Sequence, residues 1–206
     1  NSYPRGRILL SETFIGGNVH HLSLYKAPSG AIVFGAGTVQ WSWGLDPVHD
    51  RGNGPASQDL QQATVNLFAD MNVQPQSLQA NLVMQTSSPD TVPPETSITF
   101  PDPSSPISTG AQTLITGSAL DVGGVVAGVE VSVDNGTTWV VAQLDGGGGW
   151  TYSWIPGALG DVTIRSRGID DSGNIETKTN DTSVTVTVIE RTCPCTAFSP
   201  LNVPPV

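Results

Sequence analysis

Carboxylate and amide side chains crowd one stretch of the chain, Asp170-Asp171-Ser172-Gly173-Asn174. Oxygen donors at this density suit calcium, which takes about six to eight hard oxygen ligands. Asp121 or Asp145 would add to the set if the fold brings either one near. The stretch lacks the EF-hand spacing and its bidentate glutamate, and the same residue types make tight turns without any ion. The turn reading accounts for the stretch and no cofactor is expected; Asp170, Asp171 and Asn174 are the candidate metal ligands of the alternative, with calcium as the ion. The histidines offer less. His20 and His21 are adjacent, so on a strand they point to opposite faces and cannot easily share a metal. His49 lies beside Asp46 and Asp50 but without a diagnostic ligand spacing.

Nucleophilic chemistry finds no support. Ser42 sits between Trp41 and Trp43, outside any Gly-x-Ser-x-Gly elbow. Gly35-Ala36-Gly37 lacks the third glycine and the following helix of a phosphate loop. No catalytic residue is assigned. Trp150, Tyr152 and Trp154 alternate with Thr151 and Ser153, so the three rings share one strand face. Such a row can stack on sugars, or it can form the core face of a sandwich. These rings are the sugar-binding candidates, and Trp41 and Trp43 carry the same two readings. Cys193-Pro194-Cys195 is too small for a structural zinc site and would close a strained ring as a disulfide. In an oxidising compartment Cys193 and Cys195 are still candidates for that bond, or for bonds to cysteines elsewhere.

The elements that must position these groups fall into two parts. Residues 87–106 hold six prolines and no helical period. Proline removes backbone donors and extends its predecessor, so residues 89–106 read as a linker running into an edge strand. Residues 1–88 read as a partial α/β segment. It has short strands at Arg7–Phe14, Leu22–Tyr25 and Ala31–Phe34, and a helix over Ala56–Met71. Leu60, Ala63, Thr64, Leu67, Phe68 and Met71 mark that helix's expected buried stripe, and Leu78–Met84 is a second helix candidate. Residues 107–190 read as a β-sandwich. Strands are expected at Ser97–Phe100, Gln112–Ala119, Gly128–Ser132, Val140–Gln143, Thr151–Trp154, Gly160–Ile169 and Ser183–Ile189. Short strands at this spacing, split by Gly/Asp/Asn turns, are the pattern of an immunoglobulin-like fold. A Pro-rich tail with Cys-Pro-Cys occupies residues 191–206. The expected fold class is mainly β, an immunoglobulin-like sandwich preceded by a partial α/β segment.

Composition narrows the partners. The chain carries 18 Asp+Glu against 8 Lys+Arg, a formal charge of −10, which disfavours a nucleic-acid groove or a polybasic membrane anchor. No apolar run approaches the roughly 20 residues that span a bilayer. The chain opens at Asn1-Ser2-Tyr3 without an initiator methionine, so a piece of a longer protein is expected. Low lysine, abundant Thr and Gly and two cysteines fit a bacterial extracellular protein.

Three local patterns resemble known families. VEVSVDNGTTW at Val129–Trp139, the run Trp150–Trp154, and IRSRGIDDSGN at Ile164–Asn174 resemble the immunoglobulin-like dimerisation domain of sulfite oxidases and its relatives in bacterial surface proteins. That resemblance implies a sandwich packing on a partner domain, without catalytic residues. Ser132-x-Asp134-x-Gly136-x-Thr138-Trp139 is similar to the Asp-box of sialidase propellers. The physical reading is a structural turn: Asp134 accepts backbone N–H bonds, Gly136 supplies positive φ, and Trp139 folds back on the hairpin. Tyr25–Ala31, Val33–Thr38, Gln40–Asp46 and Gln61–Met71 resemble the C-terminal end of the N,N-dimethylformamidase large-subunit-like domain. That resemblance implies an α/β sheet and, in true amidases, iron held by tyrosines and a glutamate. Those ligands do not map onto this chain, whose tyrosines in this part are Tyr3 and Tyr25.

The expectation is a non-catalytic structural or interaction module of a secreted or cell-surface multidomain bacterial protein. Its partners would be neighbouring domains, another protein chain, or a glycan. Two other readings stand beside it: part of a dimethylformamidase-like amide hydrolase, and a carbohydrate-binding module.

Overall fold

The computed structural model describes residues 3–50, 52–177 and 183–191. In the N-terminal segment, β1 (Ile8–Leu9), β4 (Ser23–Lys26) and β5 (Ile32–Gly35) form an antiparallel sheet in the order β1-β4-β5. Two hairpins accompany it, β2 (Thr13–Ile15) with β3 (Asn18–His20), and β6 (Val48–His49) with β7 (Gly52–Asn53). Residues Trp41–Gly44 make a 3₁₀ turn, and α1 runs over Gln58–Asp70. Ser57 caps α1, its Oγ accepting from the Leu60 N–H, and Asp59 in the first turn suits the positive end of the helix dipole.

The helix buries a different face from the one its apolar spacing predicts. Val65 and Ala69 are buried, whereas Ala63, Phe68 and Met71 are exposed. The reason lies in three glutamines. Gln58 Nε2 donates to the Asn81 carbonyl, Gln61 Nε2 to the Leu45 carbonyl and to Gln79 Oε1, and Gln62 both donates to the Val83 carbonyl and accepts from its N–H. These bonds hold the segment 79–83 against α1 and satisfy its backbone. Residues 78–84 are consequently not a second helix, because side chains of α1 take the place of helical partners.

The sandwich has two sheets. One is ordered β13-β14-β10-β8, comprising β8 (Glu95–Phe100), β10 (Thr113–Leu120), β13 (Gln143–Leu144) and β14 (Gly149–Trp154). The other is ordered β12-β11-β15-β16-β9, comprising β9 (Ile107–Ser108), β11 (Val126–Ser132), β12 (Val140–Val141), β15 (Gly160–Asp170) and β16 (Val184–Ile189). All pairs are antiparallel except β16 with β9. The expected strand Val140–Gln143 divides at Ala142. Its first half pairs with β11 and its second with β14, so the chain crosses from one sheet to the other there. Ala142 is buried at the crossing and its N–H donates to the Val129 carbonyl.

Ile115, Ala119 and Trp150 face Val129, Val131, Ile164, Val186 and Val188 across the core. On β16 the valines alternate inward and the threonines outward, the period of a half-buried strand. Gly117 is required by Trp150. A Cβ there would stand 2.2 Å from the indole and 2.0 Å from the Ser97 carbonyl oxygen. The described part of the chain is thus mainly β, with an immunoglobulin-like sandwich and one α-helix. Among the described residues, no helix is long and apolar enough to cross a membrane.

Candidate functional site

Three aspartates meet at one pole of the sandwich. Asp121 follows β10, Asp170 ends β15, and Asp90 comes from the linker before β8. One carboxylate oxygen from each lies within 4.8 Å of the others. Asp170 is wholly buried, and its orientation is fixed by the turn that follows. Its Oδ1 accepts from the N–H groups of Ser172 (2.9 Å) and Asn174 (2.7 Å), and its Oδ2 from Asn174 Nδ2 (2.7 Å). Asn174 Nδ2 also donates to the Asp90 carbonyl at 3.1 Å, which ties the linker to this turn. Asp90 Oδ1 accepts from the Val92 N–H. Its other oxygen, and both oxygens of Asp121, accept no hydrogen bond and each expose less than 1 Å².

That desolvation raises the Asp121 carboxyl above the ordinary aspartate range, with Asp90, Asp170 and Asp171 adding repulsion. The Val122 N–H opposes the shift only weakly and does not reach hydrogen-bond geometry. Gly124 closes over the group. A Cβ there would be 2.4 Å from Asp90 Oδ2 and 2.5 Å from Asp121 Oδ2.

The grouping includes Asp121, one of the two aspartates that the sequence reading left to the fold. Asp170 belongs to it, but Asp171 is exposed, and its N–H donates to the Val125 carbonyl. Asn174 supports Asp170 through its donor atoms. Asp145 is engaged elsewhere, its Oδ1 accepting from Gly147 and Gly149 in the turn before β14. Asp90 carried no sequence signal, because it lies 31 residues from Asp121 and 80 from Asp170. A cavity of about 220 Å³ opens beside this pole, bounded by Lys26, Asp70, Ser88, Asp90, Asp171 and Asn174.

The other candidates resolve into structural roles. Trp150 and Trp154 are 1% and 9% exposed and lie in the core, so neither presents a ring face to a sugar. Of the two readings of the shared face, the burial matches the core face of a sandwich, because that face points inward. Trp150 Nε1 donates to the Ser118 carbonyl, and Tyr152 packs at the core's margin. Trp41 meets Phe34 edge-on and donates to Thr64, while Trp43 stacks on His49. His20 and His21 contact the carbonyls of Ala36 and Ser11. Cys193 and Cys195 lie outside the described residues.

At the turn, Asp134 accepts from Ser132 Oγ (2.7 Å) and from the Thr138 N–H (2.8 Å) and hydroxyl (2.6 Å). Gly136 has φ +91°, and Trp139 Nε1 donates back to its carbonyl at 3.0 Å. Partial burial pushes the Asp134 carboxyl up, but the bonds from Thr138 and Ser132 outweigh it and hold it below the ordinary range.

A second polar cluster joins the N-terminal segment to the sandwich. Glu130 on β11 is 3% exposed and pairs with Arg167 on β15, whose Nε and Nη2 both donate to Oε2 at 2.6 Å. Its Oε1 accepts from the backbone N–H of Gly6 at 3.2 Å. Burial lowers the Arg167 pKa, and Glu130 counters that shift. The Arg167 guanidinium also covers the Trp139 ring at 3.9 Å. Nearby, Glu176 accepts from the Thr96 N–H and hydroxyl and from the Gly168 N–H, so both of its oxygens are satisfied.

Residues 94–188 match the family model described as a bacterial Ig domain. No curated protein matches the sequence. Among solved structures, the chain is similar to the fibronectin(III)-like modules of Clostridium thermocellum CbhA, at 21% identity and TM-score 0.40 over 47% of this chain and 98% of that one. It is similar to the sulfane dehydrogenase SoxCD of Paracoccus pantotrophus, at 26% identity and TM-score 0.36 over 41% of this chain and 23% of that one. It is also similar to the SrpA adhesin of Streptococcus sanguinis, at 14% identity and TM-score 0.37 over 50% of this chain and 60% of that one.

Proposed function

We propose that this chain is a non-catalytic structural module of a secreted multidomain bacterial protein, in which the immunoglobulin-like sandwich holds the N-terminal segment as a docked neighbour. The observation that carries the reading is Glu130. This buried carboxylate divides its two oxygens between Arg167 of the sandwich and the Gly6 backbone of the segment. A carboxylate satisfied on both oxygens and closed from solvent serves as a joint, not as an acid or base awaiting a substrate. The acidic, lysine-poor composition and the bacterial Ig match support an extracellular setting. The resemblance of residues 129–174 to the sulfite oxidase dimerisation domain supports packing on a partner domain. The dimethylformamidase-like resemblance makes the N-terminal segment the natural first partner.

The test is a turnover assay on the purified chain with N,N-dimethylformamide and simple amides, together with a glycan-binding screen. No hydrolysis above buffer and no saturable glycan binding are expected. Amide hydrolysis that co-elutes with the protein on size exclusion would overturn the reading.

A further inference from the structure

We propose that Asp90, Asp121 and Asp170 together bind one hard divalent cation of calcium's size, which clamps the linker onto the pole of the sandwich. The inference does not depend on the module reading above. It rests on how this molecule treats its other buried carboxylates. Glu130 and Glu176 have donors on both oxygens. At the pole, Asp90 and Asp121 are half-buried, and three of their oxygens expose less than 1 Å² each without a donor in hydrogen-bond geometry. A buried carboxylate left unpaired is costly, and the usual solutions are a cation or a ring of donors. Among the described residues, none of the three aspartates is in an ion pair. One oxygen of each of these two aspartates lies within 4.8 Å of one from the third carboxylate, whose own direction is locked by Ser172 and Asn174.

The chemistry selects the ligand class. All donors are carboxylate oxygens, without nitrogen or sulfur, which suits a hard ion. Calcium–oxygen distances of about 2.3–2.6 Å allow two ligands of one ion to stand up to about 5 Å apart, and calcium accepts protein oxygens in flexible geometry where magnesium keeps most of its water. Donor atoms within 4.8 Å of one another meet the calcium limit without rearrangement. The three ligands come from different parts of the chain, the linker and the ends of two sandwich strands, so one ion would fix the geometry between the segments.

The test uses the full chain, stripped with EDTA and dialysed, then titrated with calcium chloride to about 10 mM, well above the affinities of extracellular calcium modules. Calorimetry should find one ion per chain, and thermal unfolding should rise by about 5 °C or more at saturation. Amide exchange over residues 88–92 should slow with it. D121N should lose the shift yet melt no lower than the parent in ion-free buffer, since it removes an uncompensated charge. D145N, altered in a turn away from the pole, should keep the shift. If D121N does not fold, D90N gives the same readout. No shift by about 10 mM, a shift retained in the pole variants, or a shift lost equally in D145N would overturn the site. An equal response to magnesium would overturn the assignment of ion size.

Discussion

Asp134 shows at residue scale how a carboxylate in a tight turn acts as a local fastener. Its carboxylate accepts three hydrogen bonds from Ser132 and Thr138, which stabilise the charged form. The folded pKa therefore lies below the unfolded value near about 3.9, so the stabilisation is fully present above that pH and is lost as pH falls through the folded value. D134A should flatten this acid limb in a plot of unfolding free energy against pH, and lower stability at neutral pH by about 1–2 kcal/mol. An unchanged acid limb would show that the turn is held by other means. Gly117 is the residue-scale counterpart in the core. A methyl group there meets the indole of Trp150 and a backbone carbonyl that cannot withdraw. G117A should shift the urea midpoint by an amount equal to about 1–3 kcal/mol.

At the scale of elements, α1 and its strap carry the next prediction. Gln62 pairs with Val83 through both its amide oxygen and its nitrogen, as a neighbouring strand would. Q62A should speed amide exchange at Val83 while costing about 1 kcal/mol or less overall, because the contact is exposed. This arrangement marks where sequence reading stops. Periodicity located the helix within two residues at its start, since Ser57 and the apolar spacing are local signals. It misplaced the buried face, because glutamine donors to a distant strap leave no hydrophobic pattern. The sandwich strands were legible for the same local reason, as Val184, Val186 and Val188 show. The two-residue β9 and the sheet crossing at Ala142 were not, since both depend on partners far along the chain. The aromatic row behaved likewise. Alternation placed Trp150, Tyr152 and Trp154 on one face, while only the opposing sheet decided that this face points inward. Of the metal candidates, Asp170 was visible in its turn and Asp121 was named as an addition left to the fold, whereas Asp90 acquires meaning only when the linker folds against the pole.

For the whole molecule, the question is whether the N-terminal segment and the sandwich behave as one body. The segment's buried apolar side chains among the described residues are Ile8, Val65 and Ala69, a small core for its length. Its attachment through Gly6, Glu130 and Arg167 then carries unusual weight. E130A leaves Arg167 buried without its partner and should cost about 3–5 kcal/mol, with the loss felt in both parts together. The most direct measurement is residue-resolved amide hydrogen exchange on the unmodified chain. The amides of Gly6 and of β1 and β4 should be protected to a similar degree as Ile164 in the sandwich core, and all should lose protection in one cooperative step. Exchange of Gly6, Ile8 and Leu24 within seconds while Ile164 stays protected would contradict it.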